Sequence, residues 1–336
     1  MESGQVFSNS CPDHEPDDGK AALTPFLNFI GRHATRFLGA GVLIGLFVPQ
    51  LATLLAPLLV PTLLIPLALA LVRLDWGAFR VYAGRPLLVA VLVVWLLGVT
   101  PALMSAALAP LDLPPALRHA LVLSAASSPI VSCAAISLLL GLDAALAVVV
   151  VLLSTALVPL TLPPVALALL GMRLEIEIGS FMLRLGMLVG VTFAAALAIR
   201  ALVPAKVLER NARMLDGIAV LNMVLFAIAI MHGVTALALE RPGYVLGVTA
   251  AAFAANVLLQ ALGTAAFWRL GPRAALTAGL MTGNCNMGLV MVGLGPQADI
   301  DLVVFFAMGQ LPMYMLPGLL FPLYRRVLGA GATGGA

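Results

Sequence analysis

The chain has 336 residues, of which 62% are hydrophobic and 10% are charged, and its mean hydropathy is +1.10. Soluble domains carry about 25% charged residues. This composition therefore excludes an ordinary soluble protein and predicts an all-α integral membrane protein, with the lipid bilayer as a partner. The net charge of +3 does not predict nucleic acid as a partner, because membrane topology accounts for the basic residues.

The chain begins with a polar, acidic segment, residues 1–33, which we interpret as a cytoplasmic tail. Ten apolar segments follow, each near the length of about 20 residues that a spanning helix needs. They are 37–55, 57–72, 86–109, 117–140, 143–170, 181–203, 215–238, 243–267, 274–295 and 302–324. Pro57 and Pro61 separate the first two, which predicts a tight hairpin. A Gly- and Ala-rich segment, 327–336, is interpreted as a C-terminal tail.

The basic residues test this count through the positive-inside rule. With the N-terminus in the cytoplasm, only four of the 18 Lys and Arg residues fall on the outer side. These four are Arg118, Arg173, Arg184 and Arg241. We therefore predict a multi-pass protein of a bacterial cytoplasmic (inner) membrane, with both termini in the cytoplasm.

The ten segments form two groups of five, within residues 34–170 and 171–326. Because five is odd, the second group enters the membrane from the side opposite to the first, which is the pattern of an inverted repeat. The fourth segment of each group has a polar interruption: "SSPIVSC" (Ser127–Cys133) in one and "TGNCNMG" (Thr282–Gly288) in the other. We therefore predict that segments four and nine are broken helices that cross each other.

Breaks at corresponding places in two inverted halves indicate the binding site of a transporter, because irregular backbone is tolerated there only in a protein interior or beside a cavity. Half-helix N-termini offer free N–H groups that suit an anion. The candidate substrate-binding residues at the breaks are Ser127, Ser128, Ser132, Cys133, Thr282, Asn284, Cys285 and Asn286. Asn222 and Asn256 lie alone in segments seven and eight. Contact between helices and contact with substrate explain these two residues equally well.

These features together resemble the bile acid:sodium symporter family, as a divergent bacterial member. The resemblance rests on an ordered series of stretches. They are "GLFVPQLATLLAPLLVPTLLIPLALALVRLD", "SSPIVSCAAISLLLGLDAALAVVVVLLSTALVPLTLP", "NVLLQALG" and "GNCNMGLVMVGLG". The resemblance implies ten helices in two inverted repeats, a panel domain moving against a core domain, and transport of organic anions that is usually coupled to sodium.

The resemblance also implies sodium ligands: a glutamate before the second break, a serine–asparagine pair after the first, and hydroxyl and glutamine side chains elsewhere. This chain differs at each of these positions. The corresponding residues are Met281, Cys133, Ala134, Ala147, Val151, Leu96 and Cys285. Oxygens for a weak sodium site remain on Ser128, Ser132, Thr282 and Asn284. The residues therefore leave sodium coupling open, and no other cofactor is expected.

Our main hypothesis is a secondary active transporter that moves a small organic anion by alternating access. The alternative is a sodium-independent exporter or facilitator of a neutral or metalloid solute, which would use Cys133 and Cys285. An enzyme needs acids, bases, nucleophiles or metal ligands gathered together. The apolar segments hold only His119 and His232, without a carboxylate cluster, so we do not predict an enzyme.

Overall fold

The computed structural model describes residues 34–73, 76–171, 178–295 and 298–333, and these residues form helices without a β-strand. The tail assigned to residues 1–33 lies outside them. In the first half the helices are α1 Ala34–Phe47, α2 Pro49–Val72, α3 Trp76–Ala83, α4 Pro86–Leu108, α5 Pro115–Ala125, α6 Ser132–Leu139 and α7 Ala144–Leu170. In the second half they are α8 Ile178–Leu202, α9 Ala205–Arg210, α10 Ala212–Ala229, α11 Val234–Glu240, α12 Pro242–Ala266, α13 Pro272–Gly283, α14 Met287–Leu294, α15 Ile300–Met308, α16 Gln310–Leu319 and α17 Phe321–Thr333.

Seven helical stretches in the described part of the chain are long and apolar enough to cross a membrane. They are α2, α4, α7, α8, α12, the stretch Met214–Glu240 and the stretch Ile300–Leu319. A shorter apolar helix covers Phe37–Phe47. The prediction of an all-helical multi-pass protein is confirmed at this level. The fourth and ninth predicted segments are not among the seven, because each is divided into two short helices: α5 and α6, and α13 and α14.

The boundary between the first two helices differs from the prediction. Pro57 and Pro61 were expected to separate two helices, but α1 already ends at Phe47 and α2 begins at Pro49. The chain then passes Pro57 in a single 3-10 turn, Ala56–Leu58, and continues as helix to Val72. Proline is tolerated in the first turn of a helix because its missing N–H has no partner there. Pro49 and Pro57 both occupy such a first-turn position. The presence of a proline alone therefore does not show where one helix ends and the next begins.

The helices pack in two groups. Helices α1, α2, α8 and α10 pack on one another, whereas α12 packs along α13, and α7 packs on α4, α6 and α13. The two groups meet where α8 lies against α7 and α14 and where α1 lies against α16. This arrangement puts the two breaks in the interior, since all residues from Ala120 to Ile130 and from Ala275 to Val290 are buried.

The α12–α13 contact depends on glycine. Gly279 and Gly283 lie four residues apart on α13, the spacing that lets helix backbones approach closely in membranes. A Cβ on Gly279 would lie 2.5 Å from the carbonyl oxygen of Gln260, and one on Gly283 would lie 2.7 Å from that of Asn256. Both obstacles are backbone atoms of α12, which cannot rotate away. The glycines therefore set the distance between α12 and the second break.

We predict that Gly279→Ala lowers the free energy of unfolding by about 1–3 kcal/mol, as overpacking of a close contact does. The matched control is Gly247→Ala on α12, where a Cβ would meet nothing within 4 Å; alanine there is expected to be neutral or stabilising, because it favours helix. Melting temperatures of the purified variants check both. Equal melting temperatures for the two variants would contradict the role given to Gly279.

Candidate functional site

The two breaks lie side by side and exchange backbone hydrogen bonds. The N–H of Ile130 donates to the carbonyl of Asn284 (2.8 Å), and the N–H of Asn286 donates to the carbonyl of Ser128 (2.7 Å). Together they form an isolated antiparallel β-bridge between Pro129 and Cys285. Each break thus satisfies polar backbone groups that the other leaves open. The expected crossing of the two breaks is present, and its residues are buried.

Two half-helices begin directly after the crossing, and they are capped differently. The side chain of Asn286 accepts a hydrogen bond from the N–H of Leu289 (3.1 Å), so Asn286 is the N-cap of α14. Helix α6 begins after Val131, which provides no side-chain cap. The N–H groups of Cys133 and Ala134 in its first turn donate instead to the carbonyls of Ile130 (3.0 Å) and Val131 (3.4 Å), so the positive end of the helix dipole has no side-chain partner.

The serines of the first break have different partners. Ser127 donates from Oγ to the carbonyl of Ser124 (2.8 Å), three residues earlier in the sequence. Ser128 accepts from the Oγ1 of Thr155 on α7 (3.1 Å), which ties the break to the long helix behind it. Ser132 is 8% exposed and its Oγ has no hydrogen-bond partner in the described structure. A buried orphan hydroxyl is uncommon, and this one lies in the first turn of uncapped α6.

Most polar side chains of the second break donate hydrogen bonds to backbone carbonyls. Thr282 donates from Oγ1 to the carbonyl of Ala278 (2.7 Å) and accepts from the indole Nε1 of Trp95 (3.2 Å). The amide of Asn284 donates to the carbonyl of Leu280 (2.8 Å). Trp95 begins a π-helical turn in α4, a distortion that often accompanies functional sites. Sequence reasoning missed Trp95, because a single aromatic residue in an apolar helix gives no pattern.

The two isolated asparagines have different surroundings. Asn256 is buried, and its Nδ2 donates to the carbonyl of Gly283 at the second break (2.8 Å). Asn222 is half-buried and donates to the carbonyl of Ile218 in its own helix (3.0 Å). The structure therefore brings Asn256 to the crossing, whereas the hydrogen bond of Asn222 stays within α10.

A chain of side chains continues from Asn256 to the last helix. The Nε2 of Gln260 donates to the Oδ1 of Asn256 (2.6 Å), and the hydroxyl of Tyr324 donates to the Oε1 of Gln260 (2.8 Å). Gln260 and Tyr324 are both buried. Neither was selected from the sequence. The signal that could have found Gln260 is its position four residues after Asn256, which places both side chains on one face of a helix.

The two cysteines lie at the crossing as free thiols. Cys133 is fully buried, with its Sγ 3.9 Å from the carbonyl oxygen of Asn284, and Cys285 is 3% exposed, with its Sγ 3.4 Å from that of Thr282. Each thiol therefore donates a weak hydrogen bond to backbone of the second break. Among the described residues no three His, Cys, Asp or Glu side chains come together as metal ligands.

The acid nearest in sequence to the first break serves as a helix cap. Asp143 precedes α7, and its Oδ1 accepts from the N–H of Leu146 (2.9 Å) while its Oδ2 accepts from the hydroxyl of Tyr82. Its own N–H donates to the Oγ1 of Thr277 (3.0 Å). Burial, and then the hydrogen bond to Asp143, raise the pKa of Tyr82 to about 12.

All the side chains assembled at the crossing are hydroxyls, amides, thiols and an indole. Such groups bind by hydrogen bonding, and they provide neither a general base poised near neutral pH nor a fixed charge. Met281, at the position where the resemblance implies a glutamate, is completely buried. The arrangement suits binding of a solute by neutral donors and acceptors.

Comparison with protein families matches residues 60–241, more than half of the chain, to the Sodium Bile acid symporter family. The matched range starts within α2 and ends just before α12, so it contains the first break and ends before the second. No curated protein matches the chain.

We predict that Asn256→Ala costs about 1–3 kcal/mol of stability, because it leaves the carbonyl of Gly283 and the amide of Gln260 buried without their partner. Asn222→Ala removes the same side chain where only a local bond is lost, so a loss of about 0.5 kcal/mol or less is expected. Thermal unfolding of both variants checks this. Equal losses of stability in the two variants would contradict the role of Asn256 in holding the second break.

Proposed function

Because the chain belongs to the sodium bile acid symporter family, we propose that it is a secondary active transporter that moves a small organic anion across the cytoplasmic membrane by alternating access. The observation that carries the proposal is the hydrogen-bonded crossing of two broken helices, each break contributing one N–H and one carbonyl. Broken helices that meet in the interior are the arrangement in which secondary transporters bind their substrates.

The proposed topology has ten membrane elements in two inverted groups of five. The seven long apolar stretches, the short helix Phe37–Phe47 and the two broken pairs together make ten. In this count α5–α6 is the fourth element and α13–α14 is the ninth, which are corresponding positions of the two halves. The packing of α1, α2, α8 and α10 as one group supports a panel that moves against a core containing the crossing.

The solute is proposed to bind at the start of α6. This end of the helix lacks a side-chain cap, and the hydroxyl of Ser132 has no protein partner. The positive end of the helix dipole favours negative charge, and an orphan hydroxyl can donate one hydrogen bond. Among the other predicted residues, Ser128 and Asn284 are fully buried beside the crossing, so they support this site from behind.

Sodium coupling is proposed to be weak. The family's name includes sodium, and hydroxyl or amide oxygens of Ser128, Ser132, Thr282 and Asn284 are the available ligands. Three of them already bond elsewhere: Ser128 to Thr155, Thr282 to Ala278 and Trp95, and Asn284 to Leu280. A carboxylate would add negative charge to such a site, and the residue at the implied glutamate position is Met281.

The second candidate function is movement of a neutral or metalloid solute through the thiols of Cys133 and Cys285. The observation in its favour is that both thiols are free and buried at the crossing, each against a carbonyl of the second break. Thiolates bind soft ions. Under either function we propose no enzymatic activity, no resident cofactor and both termini in the cytoplasm.

For the first function, we predict that an organic anion bound at α6 raises the melting temperature of the purified protein by mass action, with only a small difference between sodium and potassium chloride. Ser132→Ala is expected to leave the ligand-free melting temperature unchanged or higher and to weaken anion binding about tenfold, the effect of one lost hydrogen bond to a charged group. The readout is thermal unfolding across a panel of carboxylates.

Ser137→Ala is the matched control. It removes the other buried hydroxyl without a partner from the same helix, farther from the crossing, so anion binding should not change. A large sodium-specific rise would show that neutral oxygens form a cation site and would contradict weak coupling. Equal anion binding by the two alanine variants would contradict the site at α6.

Replacement of the two cysteines distinguishes the two proposed functions. We predict that the double variant Cys133→Ser, Cys285→Ser keeps anion transport in reconstituted vesicles, within about twofold of the parent, because serine preserves size and hydrogen bonding. Loss of arsenite or antimonite flux with anion flux preserved would favour the thiol function as a separate activity. Loss of all flux, from a variant with the parent's melting temperature, would contradict the proposed anion site.

A further inference from the structure

A groove of about 380 Å³ lies between α4 and α7, with the end of α3 at its mouth. Among the described residues of its wall, the hydroxyl of Tyr82 is the one polar side-chain group. The residues that form the crossing do not line it. The volume falls within the range of about 300–1,000 Å³ that small-molecule sites occupy, and the lining suits hydrocarbon rather than a polar solute.

The groove has a buried floor and an exposed rim. Val89, Val93 and Val149 form the floor and are buried, whereas Leu153 and Leu157 form the rim on α7 and are exposed. Within each helix these residues recur every four positions, which places them along one face. The floor is therefore reached from outside the protein, over the rim, and in a membrane that outside is lipid.

The length of the groove fits one half of a bilayer. Its wall extends from Pro86 to Val94 on α4 and from Val149 to Leu157 on α7. Eight residues of helix rise by about 12 Å, whereas the hydrocarbon core of a bilayer is about 30 Å thick. The bond from Tyr82 to Asp143 shows that both helices begin at the mouth. The groove thus lies within one leaflet, which the predicted topology makes the cytoplasmic one.

A positive charge stands at the mouth. Arg85 is exposed and directly precedes Pro86 of the wall. Burial and the hydrogen bond to Asp143 raise the pKa of Tyr82, and the charge of Arg85 acts in the opposite direction, so Arg85 lies within electrostatic reach of Tyr82. The carboxylate of Asp143 is already held by Tyr82 and by the N–H of Leu146. The mouth therefore complements an anionic group that is attached to a hydrocarbon chain.

We propose that this groove binds one acyl chain of an anionic phospholipid, with the lipid phosphate paired to Arg85. Lipid chains are as apolar as the side chains they contact, so the shape of the groove alone gives little preference for one phospholipid over another. The preference comes from the headgroup, because a basic residue near a membrane surface favours an anionic lipid about fivefold. Binding here does not depend on the proposed transport.

The test is native mass spectrometry of the full chain in a non-ionic detergent, titrated with palmitoyl-oleoyl phosphatidylglycerol or palmitoyl-oleoyl phosphatidylcholine. The parent is expected to bind its first phosphatidylglycerol about fivefold more tightly than its first phosphatidylcholine. Ala90→Phe places a ring in the groove from an exposed position of α4 and is expected to weaken binding of both lipids about tenfold by steric exclusion. Ala102→Phe is the matched control, since Ala102 is also exposed on α4 but lies outside the groove. It should bind both lipids as the parent does.

A second pair of variants tests the charge. Arg85→Gln is expected to remove the preference for phosphatidylglycerol and to leave phosphatidylcholine binding unchanged. Arg241→Gln is the matched control, because Arg85 and Arg241 are both exposed and each precedes a proline in the first turn of a helix without a side-chain cap, Pro86 of α4 and Pro242 of α12. Arg241 lies outside the groove, so its variant should keep the preference.

Equal binding of the two lipids by the parent would overturn the proposal. Equal effects of the two phenylalanine variants, or of the two glutamine variants, would also overturn it, because lipid would then follow general surface area or charge. Competition by free glycerol 3-phosphate would mean that Arg85 binds a soluble anion instead of a lipid, and a parent dimer that Ala90→Phe converts to monomer would assign the groove to a second copy of the chain. If Ala90→Phe does not fold, the two glutamine variants still decide, since they change exposed residues.

Discussion

The structure depends on one constraint: polar backbone groups cannot be left without partners in an apolar interior. An unmade hydrogen bond to a buried backbone group costs about 1–3 kcal/mol, and water is absent from the bilayer core. The chain interrupts a helix at Pro129 and again at Asn284, and each interruption exposes an N–H and a carbonyl. The two bonds between Ile130 and Asn284 and between Asn286 and Ser128 satisfy both at once. Neither break would be tolerable without the other, which explains why the chain has two.

The two breaks are supported to different degrees. Around the second, Asn256 holds the carbonyl of Gly283, Asn286 caps α14, and glycines let α12 approach closely. Around the first, Thr155 bonds to Ser128, while α6 begins without a side-chain cap and Ser132 keeps a free hydroxyl. The unused hydrogen-bonding capacity thus lies on the side of the first break. A solute that binds by hydrogen bonds would therefore find unpaired partners on that side.

Local chemistry in the sequence was sufficient to predict the breaks but not the partners of the polar residues. Proline and clustered asparagines mark positions where a helix cannot continue, and their recurrence in two halves indicated that the breaks belong together. Asn222 and Asn256 looked equivalent, since each is a single amide in an apolar segment; only the packing of α12 on α13 separates them. Gln260 and Tyr324 were missed for the same reason. The boundary after Phe47 was misplaced because prolines at the start of helices resemble prolines that end them.

Helix α14 connects the crossing with Arg184. Its N-terminal end is fixed to the first break by the bond from Asn286 to Ser128, and its C-terminal end is held by Arg184 from the other group of helices. A helix of eight residues is too short to bend appreciably. Any displacement of the first group of helices that carries Arg184 away must either release the carbonyls of Gly293 and Leu294 or pull on the crossing. Any movement between the two groups would therefore act on the geometry of the crossing through α14.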